Sequence, residues 1–393
     1  MKRKFNENTV YVYKFFSECL PIYAFYALLF MERGQTLRHV ALLIAIWNVF
    51  AIMFEIPTGV LADRVNRKKL LVVGALLKGV CFITWYVSYD FWLFATGFAV
   101  WALASCLASG TEESLVFDGL KNDGREGEFT TVYGKVEASG VVGALVGIAS
   151  SGVLVMHVSI GTIALISGII SIIDALLATN ISPVVVNSKV EKEEKSPFTT
   201  LKKAITFVKS NRLSRFVGLF ILLIVTLGGY LDEFDALIIA DFDLDFYWVT
   251  IIFMIRFAFM ALGDLVAPKV EAKLRNLSQV IVVSAIGIVI LGMFAYIWQP
   301  LGLVMFGIPF FILSIANVVL VGRLNHEIDE DARATILSIL RTGQSVGMVI
   351  FALIFGWLAG VTTLQMTYKI IAIYGVVMCG VFYLGSGSGR MKA

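Results

Sequence analysis

Acidic side chains inside apolar stretches are the residues of this sequence best suited to chemistry. Glu18 lies in the first apolar run, and the neighbours Glu112 and Glu113 lie in a later one. An ionised group buried in such a run costs several kcal/mol unless it faces a wet cavity or has a partner. A carboxyl group in a wet cavity can take up and release protons. We therefore predict that a proton-binding site lies among these three glutamates.

Neighbouring residues leave alternatives open for these glutamates. Lys14 precedes Glu18 by one helical turn on the same face, so a purely structural Lys14–Glu18 pair is the alternative to a proton site. Adjacent residues on a helix point about 100° apart. Only one of Glu112 and Glu113 can therefore face a cavity squarely, and both stay candidates.

Three further charged residues are candidates for lining a central cavity. Glu137 and Arg341 have opposite charge, and a shift of the sequence by 204 residues superimposes one on the other. They are expected either to pair with each other or to bind a small molecule from two sides. Arg256 is expected to contact an anion or a carboxylate, whereas the acidic residues at 232–235 are expected to form a solvated rim.

Long apolar helices are the elements that position these residues. Of 393 residues, 58% are hydrophobic and 16% are charged, and the mean hydropathy is +0.85. A soluble chain of this length needs more polar surface. Each apolar stretch of about 20 residues can cross a hydrocarbon layer of about 30 Å. The sequence predicts an all-α integral membrane protein with twelve transmembrane helices at 10–30, 40–61, 70–89, 92–118, 131–156, 160–182, 213–235, 247–267, 278–298, 302–324, 335–358 and 366–385.

The distribution of positive charge predicts the orientation of the helices. Most of the 32 lysines and arginines fall at the N-terminus and in every second loop, and only Arg33, Arg38 and Lys369 fall on the other side. Because cytoplasmic loops retain positive charge, both termini are expected in the cytoplasm of a cell with the protein in its plasma or inner membrane. An odd number of helices would contradict this arrangement.

A polar stretch in the middle of the sequence divides it into two related halves. We predict a six-helix bundle at 1–185, a cytoplasmic linker at 186–212 and a second six-helix bundle at 213–393. The linker is expected to carry a short amphipathic helix on the membrane surface, or else to be merely solvated. The same shift of 204 residues places Gly143 on Gly347 at matching positions, which indicates two pseudo-symmetric bundles.

The loop after the second helix carries an ordered motif. Gly59, Asp63, Arg64 and Arg67 follow one another with the spacing G-x-x-x-D-R-x-x-R. This motif, together with the six-plus-six division, resembles the signature of the major facilitator superfamily over essentially the whole chain. The resemblance implies the major facilitator fold. Asn66 stands where that family usually has glycine, and it is expected to keep the turn in a left-handed conformation.

The same resemblance implies a cytoplasmic gate. Gly59 would let a neighbouring helix approach closely, and Asp63 would face the positive N-terminal end of the eleventh helix. Arg64 and Arg67 would pair with carboxylates, with Asp118 as the implied partner at the end of the fourth helix. The alternative is that these charges only anchor the topology.

Glycines in the fifth helix form a second resemblance. Gly134, Gly143, Gly147 and Gly152 are spaced much like the glycine-rich helix of the antiporter branch of the superfamily. The proline expected after Gly147 is replaced by Ile148, and the arginine motif of drug–proton antiporters is absent from the fourth helix. Plain helix packing through small residues is the alternative reading of these glycines.

Together these features favour a secondary active transporter that works by alternating access. We expect proton-coupled export of a small amphiphilic or drug-like molecule by a bacterial drug/proton antiporter-like protein. A symporter, a uniporter or a carrier of a lipid-like substrate are the alternatives within the same fold. A membrane enzyme or a channel fits the composition but leaves the loop motif unexplained.

The expected partners follow from this assignment. They are a small-molecule substrate, a proton or another coupling ion, and the lipid bilayer, with the protein acting as a monomer. No cofactor, metal ion or nucleic acid is expected, since the sequence has no H-E-x-x-H or G-x-S-x-G motif and is not expected to be an enzyme.

Overall fold

The computed structural model describes residues 5–182, 212–274, 276–327 and 330–386, and these ranges contain helices and turns but no strand. Twelve helical stretches of the described chain are long and apolar enough to cross a membrane. The prediction of an all-α membrane protein with twelve spans is therefore confirmed.

The described residues up to 182 form the first six spans. A short 3-10 segment, Pro21–Ala24, joins the first two helices into one interrupted span. The α-helices are α1 (Glu7–Glu18), α2 (Tyr26–Glu32), α3 (Leu37–Arg64), α4 (Arg67–Val87), α5 (Phe91–Asn122), α6 (Phe129–Leu154) and α7 (Ile160–Ala178).

The described residues from 212 onwards form the other six spans. The seventh span is also interrupted, by a π-helical turn at Ile221–Val225 and a 3-10 turn at Asp232–Phe234. The α-helices are α8 (Arg212–Phe220), α9 (Leu227–Leu231), α10 (Asp235–Asp241), α11 (Tyr247–Glu271), α12 (Leu277–Ile297), α13 (Gly307–Glu327), α14 (Glu330–Val361) and α15 (Leu364–Ser386).

Side-chain caps define the starts of several helices. The Thr36 hydroxyl accepts a hydrogen bond from the backbone N–H of His39 at the start of α3. Asp90 caps α5 and Ser159 caps α7 in the same way. Because the first backbone N–H groups of a helix have no partner inside it, these short polar side chains set where each span begins.

The interruptions of the first and seventh spans differ from the continuous helices that the sequence predicts. Pro21 lacks a backbone N–H and its ring excludes the preceding turn of a helix, so α1 ends before it. In the seventh span, the Thr226 hydroxyl donates to the Leu222 carbonyl 2.7 Å away, next to the flexible pair Gly228–Gly229. Apolar length predicts a span but not where the span breaks.

The chain divides into two compact units. The first unit comprises Met1–Glu191 with Leu244–Ile251, and the second comprises Lys192–Asp243 with Ile252–Ala393. The predicted linker at 186–212 and its amphipathic helix lie outside the described residues, except for Arg212 at the start of α8. The boundaries predicted at 185 and 213 therefore stay a prediction.

In the first unit, α6 packs on the interrupted first span through glycines. A Cβ on Gly143 would overlap the Phe15 carbonyl oxygen, and one on Gly147 would lie 2.6 Å from the backbone nitrogen of Leu20. Glycine at these positions lets the two backbones approach each other closely. This contact matches the packing alternative for the glycine-rich helix.

The second half of the first span is held by aromatic rings. Phe30 on α2 lies 5.0 Å from the ring of Trp85 and 4.5 Å from that of Phe94, measured between centroids. Trp85 is completely buried, and its Nε1 donates to the Phe94 carbonyl. Such a cluster makes the α2 end of the span a rigid part of the unit.

Candidate functional site

Lys14 is the centre of an ionic cluster in the first unit. Its Nζ donates a hydrogen bond of 2.9 Å to Oε2 of Glu112 on α5. The same Nζ lies 3.9 Å from a carboxylate oxygen of Glu18 on α1 and 3.9 Å from one of Glu137 on α6. Three spans thus bring three carboxyl groups to one ammonium group.

The members of this cluster differ strongly in exposure. The side chain of Glu112 is 4% exposed and that of Lys14 is 15% exposed. Glu18 is 32% exposed and Glu137 is 51% exposed. The cluster therefore has a closed end at Glu112 and an open end at Glu137.

The structure separates Glu112 from Glu113. Glu112 is buried against Lys14, whereas Glu113 lies on another face of α5 and is exposed. The shorter contact of Lys14 is with Glu112 rather than with Glu18, so a Lys14–Glu18 pair alone does not describe the site. The Tyr23 hydroxyl approaches Glu18 to 3.5 Å. The rotation of α5, which depends on its packing, was not readable from the sequence.

Lys78 is a site residue that the sequence did not explain. Its Nζ donates a 2.7 Å hydrogen bond to the carbonyl of Ser17, at the broken end of α1. The same ammonium group lies 5.4 Å from the centre of the Tyr23 ring. A lysine can satisfy the free carbonyls at a helix end, and here the lysine comes from another span.

The loop motif forms a pair inside the first unit. Arg67 at the start of α4 donates to the Asp118 carboxylate and to the Ser114 carbonyl, which lies 2.6 Å away. Arg67 is 9% exposed. The pair joins the beginning of α4 to the end of α5. The side chains of Asp63 and Arg64 lie outside the described part of the structure, so their gate roles stay predictions.

The conformation of Asn66 differs from the sequence expectation. Asn66 has φ −57° and ψ 117°, which is not left-handed, and its side chain accepts from the backbone N–H of Lys68 as the N-cap of α4. Capping, rather than a left-handed turn, is the reason an asparagine suits this position. A Cβ on Gly59 would meet no described atom within 4 Å, and the close helix approach expected there stays a prediction.

The glycines at the ends of the glycine-rich helix behave differently from those in its middle. A Cβ on Gly134 would meet no described atom within 4 Å. A Cβ on Gly152 would lie 2.8 Å from the hydroxyl of Thr250, which belongs to the same unit. Of these four glycines, Gly143 and Gly147 are therefore the two that lie against the backbone of the first span.

The second unit contains a fully buried ion pair. Arg256 on α11 donates to the Asp235 carboxylate and to the Gly228 carbonyl, and both charged side chains are 0% exposed. The guanidinium group also lies 3.6 Å from the centre of the Phe310 ring. Asp235 is thus not part of a solvated rim, because Arg256 draws it into the interior. The predicted cavity role of Arg256 stays a prediction, and the side chain of Arg341 lies outside the described residues.

A cavity of about 300 Å³ lies beside this pair in the second unit. Tyr230 forms part of its wall, with its hydroxyl donating to the Gln344 carbonyl 2.8 Å away. The lining residues are neutral and mix aromatic, amide and hydroxyl groups: Thr226, Gly228, Gly229, Tyr230, Met260, Phe310, Leu313, Ser314, Asn317 and Gln344. Such a wall suits a solute with a ring and hydrogen-bonding groups.

Two units of membrane spans, each with an interrupted first span and ionic groups in its interior, define a polytopic membrane transport protein. A family model described as the Major Facilitator Superfamily matches residues 15–328. The chain belongs to the Major Facilitator Superfamily. It is therefore a multi-pass membrane transporter with a small-molecule substrate.

Relatives and solved structures agree with this family. An uncharacterized transporter of Buchnera aphidicola is 22% identical over 334 residues, which cover 84% of this chain and 82% of that protein. An uncharacterized MFS-type transporter of Methanocaldococcus jannaschii is 30% identical over 94 residues, or 23% of each chain.

Two solved structures share the fold. The nucleoside transporter NupG superposes with a TM-score of 0.83 at 15% identity, covering 98% of this chain and 99% of that one. A bacterial homologue of the human lysosomal transporter Spinster superposes with a TM-score of 0.72 at 14% identity, covering 97% and 95%. At these identities the likeness concerns the fold alone.

Proposed function

We propose that this chain is a proton-coupled secondary transporter that works by alternating access and exports a small amphiphilic or drug-like molecule. The observation that carries the proposal is the cluster of Glu18, Glu112 and Glu137 around Lys14. One ammonium group cannot balance three ionised carboxylates, and such a site gains by binding a proton or a cation.

The net negative charge of this cluster supports an exchange of protons for a cationic solute. With every group ionised, the cluster has two more negative than positive charges. A proton and a cationic solute each reduce the repulsion between the carboxylates, so the two compete for the same site. Competition of this kind couples the outward movement of one to the inward movement of the other.

The neutral cavity of the second unit supports an amphiphilic solute. Phe310 and Tyr230 offer aromatic surface, and Asn317 and Gln344 offer hydrogen bonds. A molecule with a ring and hydrogen-bonding groups would bind in this cavity.

A neutral nucleoside-like solute is the second candidate substrate. The uncharged lining of the cavity favours it, because amide groups recognise hydroxyl and base edges without a charge. The similar fold of a nucleoside transporter adds to this candidate. Such a solute would not compete with protons, so symport or uniport would replace antiport. A lipid-like substrate, the remaining alternative, would not need the amide groups.

We infer a cytoplasmic gate at the start of α4. The Arg67–Asp118 pair ties α4 to α5 and would hold the preceding loop in position. The family motif implies that Asp63 then faces the eleventh span when the gate is shut. The distribution of lysine and arginine supports a cytoplasmic position for this loop and for both termini, with the protein in a cell membrane.

Purified protein in liposomes with an imposed pH gradient tests the proposal. We expect an acidic lumen to drive accumulation of a cationic amphiphile, and no accumulation of zwitterionic or anionic compounds or of nucleosides. Nucleoside accumulation would favour the second candidate. Uptake of the cation that ignores the pH gradient would contradict proton coupling, and empty liposomes give the background.

A further inference from the structure

Asp174 is a buried carboxyl group that the Lys14 cluster does not include. It lies on α7, four residues before the helix ends, and is 2% exposed. Its Oδ1 has no hydrogen-bond partner among the described residues. Ser167 and Ser171, on the same face of α7, bond to carbonyls of their own helix. A carboxylate in this position lacks a hydrogen bond to one of its oxygens, whereas the oxygens of a buried structural ion pair are normally all hydrogen-bonded.

The groups that act electrostatically on Asp174 come from every span packed around it. Lys78 on α4 is the cation with the strongest effect. Its titratable and charged neighbours among the described residues include Lys78, Tyr13, Lys14, Glu18, Tyr23 and Glu112. The set holds two cations and two other carboxyl groups, so Asp174 is not balanced by a cation of its own.

Lys78 has one hydrogen-bonded partner and a second group that it affects only electrostatically. Its hydrogen bond in the structure goes to the Ser17 carbonyl at the broken end of α1. That carbonyl has left the helical pattern of α1, since the chain turns away at Cys19. The carboxylate of Asp174 also acts electrostatically on this ammonium group. When Lys78 is bound to Ser17, the unpartnered oxygen of Asp174 is left without the lysine.

We propose that Asp174 is a second proton-binding site, and that Lys78 passes between the Ser17 carbonyl and the Asp174 carboxylate as this proton leaves and returns. With the proton on Asp174, the carboxyl group is neutral and Lys78 supports the break in the first span. When the proton is released to water, the Asp174 anion takes Lys78, and the Ser17 carbonyl loses its donor. Protonation of Asp174 on α7 thereby changes the hydrogen bonding at the end of α1. The site goes beyond the proposed transport function, because it needs no substrate.

Infrared spectroscopy of the purified protein tests this site without any transport assay. We expect a carbonyl-stretching band from a protonated carboxyl group that is lost as the pH rises. Asp174→Asn should remove the band, and Asp174→Glu should keep it at a shifted frequency. Glu126→Gln, which changes an exposed glutamate in the turn before α6, is the matched control and should leave the band unchanged.

A second variant tests whether Lys78 moves between the Ser17 carbonyl and the Asp174 carboxylate. Lys78→Met removes the positive charge, so the band of protonated Asp174 should persist to higher pH than in the unaltered protein. A band with the same pH response in Lys78→Met would overturn the exchange. A spectrum of Asp174→Asn that matches the unaltered protein would overturn the proton site. If Asp174→Asn does not fold, the frequency shift in Asp174→Glu decides in its place, and an unshifted band there overturns the site.

Failure of this test is separate from failure of the proposed function. Proton-driven accumulation in liposomes can be present in the absence of an Asp174 band, which would leave the Lys14 cluster as the proton site. The band can also be present in a protein that transports without a proton gradient.

Discussion

Lys14 brings together side chains from three spans, and the closest of its contacts reaches the most buried carboxyl group of the cluster. Glu112 is therefore almost completely buried at one end of the cluster, and Glu137 is half-exposed at the other. Apolar context was enough to select the glutamates from the sequence. It could not select Glu112 over Glu113, since that choice depends on the rotation of α5.

The adjacent pair Glu112 and Glu113 offers a matched test at this scale. We expect Glu112→Gln to reduce pH-driven accumulation in liposomes by about 5- to 150-fold, the range of a typical coupling free energy of about 1–3 kcal/mol. Glu113→Gln, one residue further on and exposed, should retain the accumulation. Equal losses in both variants would sink the assignment of the buried carboxyl group.

The buried pair of the second unit gives a prediction about stability. Arg256→Gln leaves Asp235 buried without its cation, which should lower the free energy of unfolding by about 3–5 kcal/mol. The double variant Arg256→Met with Asp235→Leu should recover much of this loss, because no charge is then stranded. Thermal unfolding in detergent measures both. A single variant as stable as the unaltered protein would contradict the pair's role.

The same relation between helices recurs in the two units. In the first unit, Gly143 of α6 packs against the backbone of α1. In the second, Gly347 of α14 packs against Tyr230 of the interrupted seventh span, where a Cβ would lie 2.5 Å from the hydroxyl oxygen. The shift of 204 residues had paired these two glycines, so the repeat seen in the sequence corresponds to a repeated contact.

Glycine substitutions test this contact. Gly143→Ala should destabilise the first unit by about 1–3 kcal/mol, because the new methyl group overlaps the Phe15 carbonyl and forces α6 away. Gly134→Ala is the matched control on the same helix, since its methyl group meets no described atom. It should be neutral or stabilising by up to about 1 kcal/mol. Melting temperatures in detergent measure the stability of both variants. Equal melting temperatures would refute the contact.

The interrupted spans were not predictable from the sequence. Pro21 and the Gly228–Gly229 pair are visible as helix breakers, but each break also depends on a partner from another span. Lys78 supports the first break, and Arg256 supports the seventh through the Gly228 carbonyl. Such partners are set by tertiary packing and have no local signal.

At the scale of the whole molecule, twelve spans were predictable because apolar length has one simple cause. A segment that crosses hydrocarbon must satisfy its backbone internally and cover about 30 Å, so composition alone reveals it. The proposed gate depends instead on side chains that meet only after folding. Of its predicted members, Arg67 and Asp118 lie in direct contact in the described residues.

A substitution in the gate should slow the transport cycle without unfolding the protein. Asp63→Asn removes the charge that the family motif places opposite the eleventh span. We expect turnover in liposomes to fall about 5- to 150-fold, while expression and equilibrium substrate binding stay nearly unchanged. Asp118→Asn, which breaks the observed pair with Arg67, should also lower turnover and should reduce the melting temperature. Unaltered turnover in Asp63→Asn would count against the gate.

The broken first span has a consequence for how the protein is made. The lysine that binds the Ser17 carbonyl is 61 residues further along the chain, whereas the arginine that binds Gly228 is only 28 residues further along. A nascent chain on the ribosome therefore inserts its first span long before the donor for that carbonyl has been synthesised. The break that Pro21 introduces lacks this donor until the third span has arrived beside it, so a nascent chain halted before Lys78 should carry a less firmly held break.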